Sequence, residues 1–254
     1  MKQYHLYLIA LIFNLSIGYS QEQLEKKRWQ GKINAKSIIV NNQYGDVRLR
    51  YGGDEDVVEY VAMIQHLDDG ESLSLKTNET KNVFYISTDK EQRNNNDNKK
   101  PMGKTRVDIT VFVPKNKTVK VQTNTGKVDS KGLKSNLTIR TESGNIKVRK
   151  HHGLLNTTTN TGNADIVLIK NDYAQPQKFE SIYGNIYVSV SDKSNIHASI
   201  SSSSNIISDF SLKMTKHQNS EPNKTAEIKI NKANSKIVLT TKRGDLALKE
   251  HRKF

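Results

Sequence analysis

Two aspartates, Asp129 and Asp165, are the residues whose type and spacing come nearest to an active site. Each lies 18 residues from Lys147, one before it and one after it. Enzymes that cleave polysaccharides use two carboxyl groups, one as an acid and the other as a base or nucleophile. If each repeat of the pattern adds one parallel strand, the two carboxylates lie roughly 10 Å apart, which is long for such a pair. We therefore expect no catalysis, and a carbohydrate-active enzyme is the alternative.

The histidines do not form a metal site in the sequence. His151 and His152 are adjacent, so their side chains point apart along an extended chain, and no second pair has the spacing of metal ligands. The chain has no cysteine. It also lacks a serine nucleophile motif, a phosphate-binding loop and a dinucleotide-binding fingerprint. The sequence predicts no catalytic residue, no metal and no cofactor.

Cations at polar positions of two consecutive repeats form the candidate binding surface. They are Lys120, Lys127, Arg140, Lys147 and Arg149. Stacking of the repeats would bring them onto neighbouring strands. A flat ladder of cations suits the repeated anionic groups of a polymer, and its binding would weaken with added salt. We expect these residues to bind an anionic polymer or the cell envelope.

The whole chain is basic, with 40 Lys and Arg against 26 Asp and Glu and a formal charge of +14. Inside a cell such a charge would indicate nucleic acid as the partner. For an exported protein, the better partners are polyanions of the envelope or matrix, namely acidic polysaccharide, lipopolysaccharide phosphate, another envelope component or released DNA. We do not otherwise expect nucleic acid. The alternative is that solvated lysines only keep the protein soluble.

The candidate residues belong to units that repeat around a glycine. The glycines are Gly126, Gly144, Gly162 and Gly184, and the same frame fits Gly45 and Gly244. Thr, Ser or Asn stands three residues before each glycine, Asn or Asp usually follows it, and mostly apolar residues stand two and four positions after it. Successive glycines from Gly126 to Gly184 lie 18, 18 and 22 residues apart. The unit is therefore a repeat of about 20 residues.

Alternating apolar and polar residues on both sides of each glycine indicate two short strands joined by a turn. One such unit buries too few apolar side chains to offset the entropy of ordering its backbone, so neighbouring units must stack. The sequence predicts an all-β protein, a parallel β-solenoid with rungs of about 20 residues. An ordinary β-sandwich with glycine-containing hairpins is the alternative.

Residues 1–20 have the pattern of a secretory signal peptide. Lys2 precedes an apolar run from Leu6 to Ile17, and the small residues Gly18 and Ser20 follow. The apolar run is short for a membrane span, and no later segment is apolar enough to cross a bilayer. We expect export to the periplasm, the outer surface or the medium, without a transmembrane segment once the signal is removed. Loss of Lys2 would lower the formal charge from +14 to +13.

The rest of the chain divides into three parts. Residues 21–36 are a charged lead-in of uncertain structure, 37–248 form a single solenoid domain, and 249–254 are a charged tail that would protect the last repeat from pairing with another molecule. The N-terminal part contains strands of a hairpin-like kind, with a hairpin signal at Asp68 to Gly70 between Val57–His66 and Ser72–Thr77. Residues 89–106 have little to bury and are predicted to be a mobile loop.

Two departures from the repeat lie near the C-terminal end. Ser204 stands where a glycine is expected, and the apolar residues before it are one residue out of phase. This predicts a bulge or local irregularity. A polar loop from Lys213 to Lys224, which contains Pro222, then interrupts the repeat.

The pattern from Ile38 to Leu49, the strand Val107 to Pro114, and the segment from Lys120 to Thr123 that leads to Gly126 resemble the bacterial putative-adhesin family. The members are exported β-solenoid domains of unknown function. The resemblance covers Ser37 to Leu248. It implies a location in the envelope or on the surface, and it carries over no catalytic residues.

Taken together, the residues favour an exported, non-enzymatic structural or adhesion module of a bacterial envelope. A periplasmic partner for another envelope protein is a further alternative to the enzyme.

Overall fold

The computed structural model describes residues 23–66, 73–90, 105–169 and 173–251, and nearly all of their regular structure is β-strand. In chain order the strands are β1 (Gln23–Lys32), β2 (Ser37–Tyr44), β3 (Val47–Gly53), β4 (Val57–His66), β5 (Leu73–Glu79), β6 (Val83–Lys90), β7 (Arg106–Pro114), β8 (Thr118–Thr125), β9 (Val128–Lys131), β10 (Asn136–Ser143), β11 (Ile146–His151), β12 (Leu155–Thr161), β13 (Ala164–Leu168), β14 (Gln177–Tyr183), β15 (Ile186–Val190), β16 (Ile196–Ser202), β17 (Ile206–Ser208), β18 (Leu212–Lys216), β19 (Lys224–Ile230), β20 (Ser235–Arg243) and β21 (Leu246–Glu250). The described residues include no helix that is long and apolar enough to cross a membrane.

The strands form two large sheets. The ten-stranded sheet has the order β1-β4-β7-β3-β9-β11-β13-β15-β21-β17, and the eleven-stranded sheet has the order β18-β19-β16-β20-β14-β12-β10-β8-β2-β6-β5. Most neighbouring strands are parallel. The antiparallel pairs lie towards the ends of the sheets: β1 with β4, β4 with β7, β5 with β6, β16 with β19, and β18 with β19. The all-β class is confirmed, and the sheets are mostly but not wholly parallel.

Each glycine-centred unit gives its first strand to the eleven-stranded sheet and its second strand to the ten-stranded sheet. Within the eleven-stranded sheet, Thr123 pairs with Thr141, Thr141 with Thr159, and Thr159 with Ser181. The apolar positions after the glycines are also level with one another. Residues at the same position of successive repeats therefore lie side by side on neighbouring strands of each sheet.

The core lies between the sheets and contains the alternate residues of each strand. In β10, Leu137 and Ile139 are buried while Thr138 and Arg140 are exposed. At one end the core is covered by Trp29 of β1, whose ring lies 5.9 Å from that of Tyr60 and 4.9 Å from that of Phe84. Burial of alternate apolar side chains fixes which face of each strand points inward.

The glycines are needed because consecutive turns approach very closely. A Cβ on Gly144 would lie 2.0 Å from the carbonyl oxygen of Gly126, and a Cβ on Gly162 would lie 2.2 Å from that of Gly144. Gly126 also has a φ of +137°. Gly144 is not among the residues of positive φ, so there the packing of the turns excludes a side chain.

Side-chain amides and carboxylates connect the residues that follow the glycines. The Asn163 backbone N–H donates to Oδ1 of Asn145 at 2.9 Å, and the Asn185 N–H donates to Oδ1 of Asn163 at 2.9 Å. Asp245 and Asn205 continue the series at 2.8 and 3.0 Å. These bonds between units explain why Asn or Asp recurs after the glycine.

The last unit in the sequence is not the last in the stack. Strand β20 lies between β14 and β16, and β21 lies between β15 and β17. The prediction that residues 249–254 protect a terminal repeat is therefore wrong. The chain first adds β16 and β17, then returns through β18 and β19 to fill the position beside Gly184.

The irregularity predicted around Ser204 is confined to the turn. The pairing of β16 with β20 runs without a shift from Ile196 to Ser201, so no bulge occurs there. The turn after β16 is one residue shorter than the corresponding turn after β20. The buried Ser202 hydroxyl donates to the Gly244 carbonyl at 2.7 Å and accepts from the Ser204 N–H at 2.8 Å. The shorter turn therefore compensates for the one-residue offset of the apolar residues in β16.

Five local predictions concern the hairpin, the lead-in, two loops and the signal peptide. The hairpin predicted at Asp68 to Gly70 is wrong, because β4 and β5 belong to different sheets. The lead-in at 21–36 contains β1, and the loop predicted from Lys213 to Lys224 contains most of β18. Of the loop predicted at 89–106, residues 91–104 lie outside the described residues, as do residues 1–22 with the predicted signal peptide.

Candidate functional site

The five predicted polyanion-binding cations lie on two different surfaces. Lys120 and Arg140 are on the exposed face of the eleven-stranded sheet, in β8 and β10. Lys147 and Arg149 are on β11, on the outer face of the ten-stranded sheet. Lys127 lies in the glycine turn between β8 and β9. Residues before and after each glycine enter different sheets, so stacking alone does not unite the five.

The outer face of the ten-stranded sheet is balanced in charge around β11. Lys147 pairs in register with both Asp129 and Asp165, and its Nζ lies 3.6 Å from a carboxylate oxygen of Asp165. An Arg149 nitrogen lies 3.0 Å from Asp129, and an Arg50 nitrogen lies 3.4 Å from the same carboxylate. An anion approaching Lys147 or Arg149 would compete with carboxylates of the protein itself.

The two aspartates considered for catalysis are therefore committed to ion pairs. The Asp129 side chain is only 15% exposed and lies between two guanidinium groups. The Asp165 side chain is 53% exposed and faces Lys147. Lys147 lies between the two carboxylates in the register of the sheet. A glycosidase pair instead leaves the carboxyl groups free to face a sugar.

A basic edge lies where the chain passes from the ten-stranded sheet to the eleven-stranded sheet. We call these connections the second corner, and the glycine turns the first corner. The second-corner connections that precede β2, β8, β10 and β16 carry Lys36, Lys115, Lys117, Lys134 and Lys193. This edge was not predicted from the sequence, where the repeat was defined by the glycine turns. The signal was present, since lysine recurs in the short polar segments between units.

A cleft of about 480 Å³ opens at the second corner. It is lined by Lys115, Asn116, Lys117, Lys134, Ser135, Asn136, His152, Gly153 and Tyr173. The Lys117 side chain is only 9% exposed, and its Nζ donates to the Ala35 carbonyl at 3.0 Å and lies 2.8 Å from Asp56. Lys117 therefore supports the wall of the cleft, whereas Lys115 and Lys134 are exposed.

Two carboxylates near the cleft, Asp54 and Asp56, are engaged by Tyr51 and Lys117. The Tyr51 hydroxyl donates to the Asp54 carboxylate, and this bond lowers the pKa of Asp54 below its ordinary value, with Lys115 and Lys134 contributing in the same direction. The Lys134 Nζ lies 4.4 Å from the centre of the Tyr51 ring. The aromatic ring and Asp54 hold the Lys134 ammonium at the entrance.

The two adjacent histidines have different environments, as the sequence predicted. His151 is 1% exposed, and burial lowers its pKa to about 4, although the backbone at Leu154 and Gly153 acts in the opposite direction. His152 is exposed and lines the second-corner cleft. In the described part of the chain, no group of three or more His, Asp or Glu side chains could hold a metal ion.

Comparison with known proteins gives matches only among solved structures. No protein-family model matches the chain, and no curated protein matches it significantly. A "putative cell adhesion protein" from Clostridium sporogenes is 14% identical, with a TM-score of 0.44 over 89% of this chain and 100% of that chain. A "putative adhesin" from Bacteroides fragilis is 12% identical, with a TM-score of 0.35 over 90% and 97%.

A third solved structure has a different description. It is a "putative lipid binding protein" from Parabacteroides distasonis, 12% identical to this chain, with a TM-score of 0.36 over 89% of this chain and 97% of that chain. The descriptions of the first two agree with the resemblance to bacterial adhesins found in the sequence. At these identities and TM-scores, the function must be argued from the residues of this chain.

Proposed function

We propose that this protein is an exported, non-enzymatic module of a bacterial cell envelope or surface that binds anionic polymers. The observation that carries the proposal is the second-corner cleft, where Lys115 and Lys134 face solvent at the entrance. Neighbouring strands in the stack are about 4.8 Å apart, so the lysines that precede the three consecutive strands β2, β8 and β10 recur at about that interval. A polymer with regularly spaced carboxylate, sulfate or phosphate groups suits such an edge.

The five cations singled out from the sequence take different places in this proposal. Lys120, Lys127 and Arg140 form no ion pair with the described residues, but they do not lie together, because Lys127 is in a glycine turn whereas Lys120 and Arg140 lie within β8 and β10. Lys147 and Arg149 contribute less, because they are paired with Asp165 and Asp129. We rank the second-corner cleft above both sets, because a concave surface surrounds an anionic group with several donors.

Retention on immobilised heparin, a sulfated polysaccharide, tests the proposal. The double change Lys115→Glu and Lys134→Glu should lower the salt concentration at which the protein elutes, since it removes two cations from the cleft and adds two anions. Lys115→Gln with Lys134→Gln should give a smaller shift in the same direction. Lys147→Glu with Arg149→Glu should have less effect than the reversal in the cleft.

Lys236→Glu with Lys242→Glu is the matched control. Both lysines are exposed on β20, and the double change alters the net charge by the same amount as the change in the cleft. Equal shifts for the two reversals would show that heparin responds only to net charge, and the cleft would then lose its role. Circular dichroism of each variant checks that the sheets are retained.

We also propose that the glycine-centred units are the rungs of one β-solenoid, with antiparallel strands added at its two ends. This is supported by the regular division of each unit between the two sheets and by the level register of corresponding residues. A stack of this kind presents the same corner many times along one edge. Repetition of the corner is what a polymer-binding surface requires.

The location is likewise part of the proposal and rests on the sequence of residues 1–20, which lie outside the described residues. Cell fractionation combined with protease treatment of intact cells tests it. Recovery from the cytoplasm with residues 1–20 still attached would contradict export. The enzyme alternative has no support from the site, because Asp129 and Asp165 are both ion-paired.

A further inference from the structure

A second concave surface lies on the opposite edge of the sheets from the second corner. It is a shallow groove of about 250 Å³ on the exposed face of the eleven-stranded sheet, next to the first corner. Its floor is formed by β6, β2, β8 and β10. It is lined by Asn41, Asn42, Gln43, Thr88, Asp89, Gln122, Thr123, Asn124, Arg140 and Glu142.

The floor of the groove is held by buried polar contacts. The Thr88 hydroxyl donates to Oδ1 of Asn42 at 3.1 Å and accepts from the Gln43 N–H at 2.9 Å. Nδ2 of Asn42 donates to the carbonyls of Gly45 and Val107 at 3.0 and 2.8 Å. The strands that carry the groove are therefore fixed relative to one another before any ligand arrives.

Above this floor lie two short rows of polar side chains. Asn41, Gln122 and Arg140 are level on three adjacent strands. Two residues further along the same strands lie Gln43, Asn124 and Glu142. Within the described part of the chain, none of these six side chains makes a hydrogen bond or an ion pair, although amides and charged groups readily do so. The groove thus contains a group of hydrogen-bonding side chains that the fold itself does not use.

The chemistry of these groups fits a polyhydroxylated ligand. Amide, guanidinium and carboxylate groups are planar, and each presents two hydrogen-bonding atoms to two adjacent hydroxyls of a sugar ring. The groove is lined by one cation, Arg140, and by two carboxylates, Asp89 and Glu142, of which Asp89 lies 3.4 Å from Lys76, so the groove does not favour an anion. Each of the four floor strands is paired on both sides, so an extended peptide has no free strand edge to join.

We propose that this groove binds a neutral glycan, through hydrogen bonds from its amide and charged side chains to the sugar hydroxyls. Ile39 and Tyr85 are partners in register and are partly exposed. Ile39 lies two residues before Asn41, on the same face of β2. They offer an apolar surface beside the polar rows for the carbon-bound hydrogens of a sugar ring. The groove is separate from the second-corner cleft, so the protein has two distinct binding surfaces.

Native affinity electrophoresis tests the proposal with three neutral polysaccharides as probes: galactomannan, laminarin and dextran. The unaltered protein should be retarded by at least one of them. Gln122→Ala combined with Asn124→Ala should weaken that binding about tenfold, as expected for the loss of two hydrogen-bonding groups. The retardation should persist as salt is raised, because the hydrogen bonds involve an uncharged ligand.

Gln30→Ala is the matched control, since Gln30 is an exposed amide on β1 of the other sheet and should leave binding unchanged. The side-chain amide NMR signals of Gln122 and Asn124, assigned from single variants, should move when the binding polysaccharide's oligomers are added. Absence of retardation by all three polysaccharides would overturn the proposal. Retardation unaffected by the double change, or abolished by salt, would also overturn it.

The binding roles of the second-corner cleft and of the groove are tested by separate variants and separate probes. Loss of heparin retention in the cleft variants bears only on the second corner. Loss of neutral glycan binding in the Gln122 and Asn124 variant bears only on the groove.

Discussion

At the scale of single residues, the stacked turn glycines, from Gly126 to Gly184, are the positions least able to accept a side chain. The carbonyl oxygen of one glycine occupies the space where the Cβ of the next would lie. The turns are also bonded to one another, since the Gly126 N–H donates to the Ser143 carbonyl at 3.3 Å and the Gly144 N–H donates to the Thr161 carbonyl at 3.0 Å. A side chain at this position therefore cannot be accommodated by the movement of one flexible group, and the stacking of two units must change.

The change Gly144→Ala should destabilise the protein by about 3 kcal/mol or more, because its Cβ would lie 2.0 Å from the Gly126 carbonyl oxygen. Gly132→Ala is the control. Gly132 has a φ of +72°, but a Cβ there would have no atom of the described residues within 4 Å, so only the backbone conformation is penalised, by about 1 kcal/mol. Urea unfolding measures both. Equal effects would show that the close approach of the turns is unimportant.

His151 should make the stability of the protein depend on pH. Burial lowers the pKa of His151 to about 4 from an ordinary value of 6.5. The unfolded chain therefore takes up the proton more readily than the folded chain. The stabilisation is complete above about pH 6.5 and is lost as the pH falls towards 4, by at most about 3 kcal/mol.

Replacement of this histidine tests the pH dependence. His151→Leu should remove much of the loss of unfolding free energy between pH 6.5 and 4, since leucine has no proton to gain. His152→Leu should leave that loss in place, because His152 is exposed. If the dependence persists unchanged in His151→Leu, other groups cause it.

At the scale of elements, the glycine-centred unit is the natural building block. One unit comprises a strand in each sheet, and its corresponding residues are level with those of the units beside it. The hydrogen bonds between the asparagines that follow the glycines join one unit to the next. The threonines that precede the glycines, such as Thr141 and Thr159, are also paired between units. The contacts between units should therefore survive the removal of one complete unit.

Deletion of residues 137–154 removes one unit and joins Asn136 to Leu155. Because Leu137 and Leu155 are partners in register, β12 can then pair with β8 in the place of β10. The shortened protein should retain its circular dichroism spectrum and unfold cooperatively, at a lower temperature. Deletion of residues 137–145, which removes half a unit, should prevent folding. A folded half-unit deletion, or an unfolded whole-unit deletion, would contradict the rung interpretation.

At the scale of the whole molecule, charge and hydrogen-bonding capacity are separated between two edges. The second corner carries lysines around a cleft, and the first corner carries a groove of unengaged amides with balanced charges. Between them, the outer face of the ten-stranded sheet neutralises its cations with aspartates. The formal charge of +14 is thus a poor guide to where an anion binds. Salt should weaken binding at the second corner and leave the groove unaffected.

Much of the β architecture could be predicted from the sequence, because its signals are local. Alternation along Leu137 to Thr141 determines which side chains face the core, and the recurrence of glycine marks each turn. The resemblance to bacterial adhesins rested on the same short patterns. The N-terminal strand β1 was missed, since its inner face includes the charged residues Glu25 and Lys27 and so lacks clear alternation.

The binding surfaces could be predicted only in part. Arg140 was correctly identified as an exposed cation, but its neighbours Asn41 and Gln43 come from β2, far away in the chain. The ion pairs of Lys147 with Asp165 and of Arg149 with Asp129 were not predicted, because they depend on the register of neighbouring strands. Sequence position alone does not show which charges will be neutralised across a sheet.

The sequence alone was sufficient for the period, the inward and outward faces and the turn positions, because each depends on backbone geometry within a few residues. The order of the strands was decided only by the tertiary structure. The return of β20 and β21 to a place beside Gly184 depends on which sheet edge is open when the chain arrives, and that edge is formed by residues about 60 positions earlier. The cleft and the groove arise in the same way, since each is built from segments that meet only when the units stack.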